Sequence, residues 1–305
     1  MERLSMLGPS VVSYDDSGGP TPRGLLLDSV RGACAMVVSL TERIDAEVLD
    51  AAGPSLRVVA NVAVGTDNID LAAAHARGVI VTNTPDVLTE ATADLTMGLL
   101  LAVQRRIVEA DAFVRSQEPW AWAPDFFVGE ALAGSTLGIV GYGRIGRATA
   151  RRARAFGMRI LASPGRGAYG AKDVNVVELP ELLRRSDVVS LHCPLNERTR
   201  HLIGARELES MKRSAALVNT ARGAIVDESA LVRALETGAI RAAGLDVFEH
   251  EPDPHPGLLK LANVVLTPHV GSADAATRRA MAEMAVANVV AVLRGGDPLS
   301  PVGLR

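Results

Sequence analysis

Gly141-Tyr142-Gly143-Arg144-Ile145-Gly146 is the stretch that decides the fold of this chain. The apolar run Leu137–Val140 precedes it, and a helical pattern from Arg147 to Phe156 follows it. This order of strand, tight turn and helix predicts a dinucleotide-binding site, with a purely structural turn as the alternative. The first glycine permits the turn, the second lets the backbone approach a pyrophosphate, and the third lets the helix pack against the strand. The N–H groups at the start of the helix then face the phosphates.

Composition limits what the chain can be. Its 305 residues suffice for two domains of ordinary size, and 48% of them are hydrophobic. Only 3% are aromatic, so the core must consist mainly of Ala, Val, Leu and Ile. The net charge is −3, with 32 basic and 35 acidic residues that are well mixed along the chain. This balance argues against a nucleic-acid partner or a membrane-surface partner.

The cellular location is inferred from signals that are absent. Cys34 and Cys193 have no motif spacing, which fits a reducing compartment. The N-terminus lacks the basic and apolar regions of a signal peptide, and no apolar run reaches the ~18 residues of a membrane span. No histidine has metal-ligand spacing with other ligands, so no metal site is predicted. We expect a cytoplasmic protein.

Short β-like runs alternate with Ala- and Leu-rich helical runs, and this alternation predicts parallel sheets in an α/β fold. The predicted strands are Ala35–Leu40, Val58–Val62, Val79–Thr82, Thr136–Val140, Arg159–Ala162, Val188–Leu191, Ala216–Asn219, Ala242–Asp246 and Val264–Thr267. Residues Ala91–Arg115 read as one long helix that joins two lobes. A second strong helix spans Ala275–Leu293 and ends before Gly295-Gly296-Asp297-Pro298.

Polar residues follow the last three predicted strands. Arg222 follows the first of them, Asp246 ends the second and Glu251 follows it, and His269 follows the third. In open α/β sheets, ligands bind beyond the carboxyl ends of the strands. We therefore expect these four side chains to converge beside the cofactor.

This set of side chains suits the reduction of a carbonyl by hydride transfer. The reaction leaves negative charge on oxygen, so a positioned acid must supply a proton, and histidine does this near neutral pH. A neighbouring carboxylate stabilises a protonated imidazole and holds the ring in place. Arginine binds a substrate carboxylate through two N–H groups and helps to polarise the carbonyl. We assign His269 as the acid/base, Glu251 as its partner and Arg222 as the substrate clamp.

These residues lie within longer signatures that cover most of the chain. The signatures are Asn61–Asp70, Asn83–Asp94, the glycine turn, Leu191–Leu195, Asn219–Gly223 and the segments around Glu251 and His269. With these signatures in this order, the chain resembles a D-isomer-specific 2-hydroxyacid dehydrogenase. The resemblance implies an α/β protein of two lobes with the active site in the cleft. One lobe is a Rossmann-type doubly wound parallel sheet, and the other is a smaller flavodoxin-like substrate lobe.

The resemblance also implies domain bounds and residue roles. The substrate-binding domain comprises 1–93 and 275–305 and lacks its usual first strand, whereas 94–274 form the dinucleotide-binding domain. Positions matching Arg222, Glu251 and His269 are catalytic in the family, and backbone N–H groups at Val64 and Gly65 bind the substrate carboxylate. A homodimer forms largely through the nucleotide lobes. The expected cofactor contacts are Gly141, Gly143, Arg144, Ile145, Gly146, Ser163, Arg166, Thr220, Ala221, Asp246 and Gly271.

Within the family, Val87–Asp94, Arg105–Asp111 and the loop around Trp120 and Trp122 most resemble glyoxylate/hydroxypyruvate reductases. We therefore expect reduction of glyoxylate or hydroxypyruvate. Formate dehydrogenases of this fold carry glutamine at the position of Glu251, which argues against that branch. Phosphite dehydrogenases and dinucleotide-sensing corepressors share the catalytic trio and remain as alternatives.

The end of the second nucleotide-binding strand bears on the choice of cofactor. NAD-preferring sites place an acidic residue there, about 20 residues after the glycine turn, to bind the ribose 2′-hydroxyl. Here Arg159–Ala162 continues into Ser163-Pro164-Gly165-Arg166, with no carboxylate. Ser163 and Arg166 suit a 2′-phosphate instead. We expect NADP(H) to be preferred, with NAD(H) as the alternative.

The start of the chain departs from the family pattern. Related chains open with a strand and a helix, whereas this sequence opens at what resembles the end of that helix, Met1–Gly8, followed by a strand at Val11–Tyr14. The missing strand would lie inside the substrate-lobe sheet, so its absence would expose backbone and apolar surface. We expect a truncated start or a locally weakened lobe.

Two other features are interpreted from position alone. Trp120 and Trp122 are rare aromatics in an irregular segment, where they line a pocket, form a subunit contact or anchor a surface loop. His192 follows a predicted strand and is interpreted as a structural residue.

Overall fold

The structure is a computed structural model that describes residues 21–165, 168, 171 and 173–303. It divides into two compact units, Met1–Leu88 with Ala273–Arg305, and Thr89–Ser272. The sequence placed these boundaries at 93/94 and 274/275. The first of those positions would cut the helix Thr89–Gln104 within its first two turns, and a hydrogen-bonded helix belongs to one unit as a whole.

Unit 1 is built on a three-stranded parallel sheet in the order β1-β2-β3. Its elements are α1 (Arg23–Ser29), β1 (Ala35–Val38), α2 (Ala46–Ala52), β2 (Val58–Asn61), α3 (Leu71–Ala76), β3 (Ile80–Thr82) and α10 (Ala275–Leu293). The central strand β2 is buried along its whole length, which explains the apolar run Val58–Ala60 before its last residue, Asn61. The apolar core of the unit includes Ile44, Val48 and Val59.

Unit 2 is built on a seven-stranded sheet in which every strand pair is parallel. Its elements are α4 (Thr89–Gln104), α5 (Ile107–Arg115), β4 (Thr136–Val140), α6 (Arg144–Ala155), β5 (Arg159–Ala162), β6 (Asn175–Val176), α7 (Leu179–Arg185), β7 (Val188–Leu191), α8 (Ala205–Ser210), β8 (Ala216–Asn219), α9 (Glu228–Glu236), β9 (Ala242–Leu245) and β10 (Val264–Leu266). Two short 3₁₀ turns, Gly223–Ile225 and Leu258–Lys260, interrupt the loops after β8 and β9.

The strand order of this sheet is β10-β9-β8-β7-β4-β5-β6. The chain runs outward from β4 in one direction through β5 and β6, and then in the other direction from β7 to β10. The order therefore reverses between β4 and β7, and the crevice beyond the carboxyl ends of these two strands is where open α/β sheets bind their ligands. The predicted Rossmann-type doubly wound sheet is confirmed.

Nine strands that the sequence predicts are present, each within two residues of its predicted ends. The sequence missed β6, a two-residue edge strand with no apolar pattern. The single long helix predicted at Ala91–Arg115 is wrong, because it breaks between α4 and α5. At the break Arg106 takes a left-handed conformation (φ 53°), and the carbonyl of Gln104 accepts the N–H of Glu130 at 2.8 Å instead of a helical N–H.

Several predictions fall outside the described part of the chain. They concern the helix end at Met1–Gly8, the strand at Val11–Tyr14 and the cofactor residue Arg166. In the part that the structure does describe, no helix combines the length and the apolar character needed to cross a bilayer.

Candidate active site

The glycine turn follows β4 at the point where the strand order reverses. Gly141 has φ 98°, and a Cβ there would lie 2.5 Å from the backbone nitrogen of Cys193, which follows β7. A Cβ at Gly146 would lie 2.4 Å from the carbonyl oxygen of Gly141. Both positions therefore exclude a side chain, the first because of the neighbouring loop and the second because of the tight packing of α6 on the turn.

The middle glycine of the turn faces open space. No atom lies within 4 Å of a Cβ built at Gly143, and this residue is the N-cap of the twelve-residue helix α6. Because glycine brings no side-chain acceptor, the N–H groups of the first turn of α6 have no capping side chain. Space beside an uncapped helix N-terminus fits the pyrophosphate of a dinucleotide.

Residues that follow the neighbouring strands β5 and β7 lie beside the glycine turn. The hydroxyl of Ser163, directly after β5, accepts the N–H of Gly141 at 3.3 Å. His192, after β7, lies with Nε2 2.9 Å from the hydroxyl of Ser190. Burial lowers the pKa of His192 to about 4 and raises the pKa of the Cys193 thiol to about 11, so both groups are neutral near pH 7.

The turn after β8 is organised by Asn219. Its side chain accepts the N–H of Ala221 at 3.0 Å and donates to the carbonyl of Arg222 at 2.9 Å. The hydroxyl of Thr220 is buried and bonds to the hydroxyl of Thr96 on α4 at 2.8 Å. The guanidinium of Arg222 is half-buried and donates through one nitrogen to the carbonyl of Ala221 at 2.8 Å.

Asp246, after β9, organises the loop after β10. Its two carboxylate oxygens accept the Thr267 hydroxyl at 2.6 Å and the N–H groups of Val270 and Gly271 at 2.8 Å each. Its carbonyl accepts the N–H of His269 at 2.7 Å. Burial raises the pKa of Asp246, while the hydrogen bonds to its carboxylate oppose that rise. These bonds hold His269 at φ 53°, a conformation that non-glycine residues rarely adopt.

Two of these loops bring an imidazole and a carboxylate together. Nδ1 of His269 lies 2.7 Å from one carboxylate oxygen of Glu251, and the other oxygen accepts the N–H of Phe248 at 3.1 Å. Both side chains are partly exposed, with 24% and 29% of their surface accessible. Since Nδ1 faces Glu251, Nε2 is the ring nitrogen that is turned away from that carboxylate.

Gly223 brings the Arg222 turn against the Glu251 segment. A Cβ at Gly223 would lie 1.8 Å from the carbonyl carbon of Phe248 and 2.3 Å from the nitrogen of Glu249. The loops after β8, β9 and β10, which carry Arg222, Glu251 and His269, are therefore packed together at the carboxyl edge of the sheet.

A second predicted site segment lies in unit 1, directly after β2. Asn61 donates to the carbonyl of Gly65 at 2.8 Å, and Asn83 donates to the carbonyl of Val64 at 2.8 Å. The carbonyl oxygens of this loop are thus engaged by asparagine side chains.

Comparison with known proteins identifies the family. A family model described as the NAD binding domain of D-isomer specific 2-hydroxyacid dehydrogenases matches residues 97–271, more than half of the chain. The chain belongs to the D-isomer specific 2-hydroxyacid dehydrogenase family. As a member of that family it is an NAD(P)-dependent dehydrogenase that acts on 2-keto acids and 2-hydroxy acids.

The relatives of this D-2-hydroxyacid dehydrogenase match it along about nine tenths of its length or more. It is 52% identical over 285 residues to a glyoxylate reductase from Thermococcus litoralis, which covers 91% of this chain and 86% of the relative. A crystal structure of a protein from Thermus thermophilus superposes with a TM-score of 0.87 at 50% identity, covering 92% and 90% of the two chains. An NADPH-dependent glyoxylate/hydroxypyruvate reductase from Sinorhizobium meliloti, in complex with NADP and malonate, superposes with a TM-score of 0.82 at 38% identity, covering 90% and 85%.

Sequence reasoning missed the residues that hold the D-2-hydroxyacid dehydrogenase site in place. Asn219 begins the signature Asn219–Gly223, and Thr267 lies in the segment around His269, but the sequence alone suggested no role for either residue. Their signal is positional, since each is a polar residue at or just after the end of a strand; Asn219 bonds to the backbone of its own turn, and Thr267 bonds to the carboxylate of Asp246. Among the described residues, no group of three or more His, Cys, Asp or Glu side chains lies close enough to hold a metal ion.

Proposed function

We propose that this enzyme reduces glyoxylate or hydroxypyruvate to the corresponding D-2-hydroxy acid, with His269 as the acid that protonates the carbonyl oxygen. The contact of 2.7 Å between His269 Nδ1 and Glu251 carries this proposal. A carboxylate at Nδ1 orients the ring and stabilises its protonated form, so that Nε2 presents a proton where charge develops. The names of the relatives support the choice of substrates.

Each residue of the site has a role in this reaction. A dinucleotide bound here would supply the hydride, and the glycine turn with the α6 N-terminus would hold its pyrophosphate. Arg222 binds the substrate carboxylate and polarises the keto oxygen through its N–H groups.

Steady-state kinetics test this function. We expect turnover with glyoxylate and hydroxypyruvate, weaker turnover with pyruvate, and none with phosphite. His269→Gln should lower kcat at least about a hundredfold, whereas Arg222→Ala should act most strongly on kcat/KM. His75→Gln on the exposed face of α3 is the matched control and should leave both constants unchanged. Binding of a dinucleotide without turnover of any keto acid would favour a sensing protein and reject the proposal.

We also propose that NADPH is preferred over NADH. The chain after β5 continues into Ser163, Pro164 and Gly165 without a carboxylate, so no negative charge there would repel a 2′-phosphate. Arg166, the second expected contact, lies outside the described residues. The ratio of kcat/KM for the two reduced cofactors measures the preference. Ser163→Asp should shift it toward NADH, and a wild-type enzyme that favours NADH would contradict the proposal.

We further propose a homodimer that uses the surface of α5 and the loop after it. α5 buries none of its residues. The segment 107–128 exposes seven large apolar side chains, Ile107, Val108, Val114, Trp120, Trp122, Phe126 and Val128. Trp120 stacks on Phe126 with ring centroids 5.8 Å apart, so these two exposed side chains are in contact and form one apolar patch.

Light scattering after size-exclusion chromatography tests the dimer. The double variant Val114→Glu/Trp122→Glu places two charges on the patch and should yield monomers. Leu259→Glu is the control, because Leu259 is equally exposed but lies outside the patch, and that variant should remain dimeric. A wild-type monomer, or a double variant that stays dimeric, would contradict this arrangement.

A further inference from the structure

The loop that carries Glu251 is anchored on both sides of that residue by one buried carboxylate on another element, and the side chain of Glu249 also contacts Arg200 and His201. Glu228 is the first residue of α9 and is only 5% exposed. Its Oε1 accepts the N–H of Glu249 at 2.6 Å, and its Oε2 accepts the N–H of His255 at 3.0 Å. The two donors lie on either side of Glu251 in sequence, so the carboxylate holds both ends of the segment that presents Glu251.

The bonds to Glu228 hold backbone on both sides of an exposed stretch of this loop. Residues 250–253 and 256 are exposed or nearly so, and a loop of this kind moves easily unless its backbone is tied down. The position of Glu228 also suits a negative charge, since it lies in the first turn of α9, where the helix dipole favours an anion. A buried carboxylate that accepts two backbone N–H groups is well satisfied at this place.

The segment that leads into α9 also carries the Arg222 turn. Arg222 precedes Glu228 by six residues, and Gly223 between them packs directly against the Phe248–Glu249 peptide. The segment from β8 to α9 thus contacts the Glu251 loop at two points, through Gly223 and through Glu228. From this same loop, Oε2 of Glu251 reaches Nδ1 of His269.

We propose that Glu228 is a positioning residue that sets the carboxylate of Glu251 against His269 and thereby controls proton delivery to the substrate. The inference rests on the proposed function, in which Glu251 stabilises the protonated His269. Glu228 itself does not touch the reacting atoms. Its contribution is the geometry of the Glu251 loop, which a neutral residue of the same shape would not reproduce.

Glu228→Gln tests the proposal with little change in volume. The amide keeps one acceptor oxygen but turns an NH₂ group toward the other backbone N–H, so one end of the loop loses its anchor. Keto-acid reduction requires a protonated acid, and its rate falls as the pH rises. We expect this falling limb to move to lower pH by about half a unit or more, and kcat at pH 7 to fall about tenfold. The KM for the reduced cofactor should change less than about twofold.

Three further variants make the result decisive. Glu251→Gln, measured in parallel, should move the same limb further. Leu231→Ala creates a cavity in the buried face of α9 without touching a carboxylate, and it should lower the melting temperature but leave the limb in place. Glu228→Asp keeps the negative charge, but its side chain is too short to reach both N–H groups, so the falling limb should shift by an intermediate amount. This variant replaces Glu228→Gln in the test if the glutamine variant fails to fold.

The outcomes distinguish a failure of the proposed role of Glu251 from a failure of the positioning role of Glu228. If Glu251→Gln leaves the limb unmoved, the proposed role of Glu251 fails, and this inference fails with it. If Glu251→Gln moves the limb but neither variant of Glu228 does, the proposed function stands and the positioning role of Glu228 is overturned. A shift in Leu231→Ala as large as that in Glu228→Gln would also overturn it, because general softening of α9 would then suffice.

Discussion

Gly223 lies directly against the peptide that joins Phe248 to Glu249: a Cβ on Gly223 would stand 1.8 Å from the carbonyl carbon of Phe248. This contact joins the turn that carries Arg222 to the loop that carries Glu251. The position excludes every side chain because the opposing atoms are backbone, which cannot rotate out of the way. The proposed clamp and the partner of the proposed acid therefore depend on one glycine.

Gly223→Ala should disrupt both loops at once. We expect the free energy of unfolding to fall by about 1–3 kcal/mol, because the backbone must shift to admit the methyl group. The kcat/KM for the keto acid should fall by more than about tenfold, since a small displacement of catalytic groups is costly. Chemical denaturation and steady-state kinetics measure the two effects. Gly98→Ala is the control: no atom lies within 4 Å of its Cβ, and alanine in mid-helix should stabilise α4 by about 0.5–1 kcal/mol.

Asp246→Asn should damage the His269 loop more than its conservative chemistry suggests. In either orientation, an asparagine NH₂ would face a backbone N–H that the carboxylate now accepts, that of Val270 (together with the Thr267 hydroxyl) or that of Gly271. We expect a loss of about 1–3 kcal/mol of stability and a fall in kcat, because His269 loses the support that holds its left-handed backbone. Thr267→Val removes one donor and leaves two, so it should have the smaller effect. Equal effects would show that the backbone bonds of Asp246 do not position His269.

His192 should make the enzyme sensitive to acid. Burial holds the pKa of His192 at about 4, whereas an unfolded histidine titrates near ~6.5. The unfolded chain therefore binds the proton first, and the stability contributed by His192 is present above about pH 6.5 and is lost as the pH falls toward 4.

His192→Gln removes this titration. Between pH 7.5 and 5, its free energy of unfolding should fall by about 1–2 kcal/mol less than that of the wild type, as measured by urea denaturation. Ser190→Ala keeps the imidazole and should retain the pH dependence of the wild type. An unchanged slope in His192→Gln would contradict the prediction.

The two cysteines should differ in reactivity in the native protein. Cys34 is exposed, whereas burial raises the pKa of the Cys193 thiol to about 11. At pH 8 the thiolate of Cys193 is scarce, so its alkylation by iodoacetamide should be at least about a hundredfold slower than that of Cys34. Cys34→Ser should remove the fast phase observed by mass spectrometry. Rapid modification of Cys193 in that variant would show that the thiol is neither shielded nor neutral.

The sequence predicted the sheets well because their strands are buried on both faces. β4, β7, β8 and β9 are entirely buried, and a strand of that kind requires a continuous apolar run that stands out from its surroundings. β6 gave no such signal, since a two-residue edge strand needs no apolar pattern. The helix break at Arg106 was also hidden, because it depends on Glu130, which takes the carbonyl of Gln104 from a distant part of the chain.

The order of the motifs was determined by the sequence alone: a glycine turn between a strand and a helix, and then chemically suited side chains after successive strands. These signals are local, since a turn or a buried strand restricts the residues within it. The tertiary structure decided which groups support those side chains. Asn219, Asp246 and Glu228 hold the loops through bonds to backbone N–H and C=O groups, and every residue except proline offers the same backbone groups, so no pattern of side chains records which of them will meet.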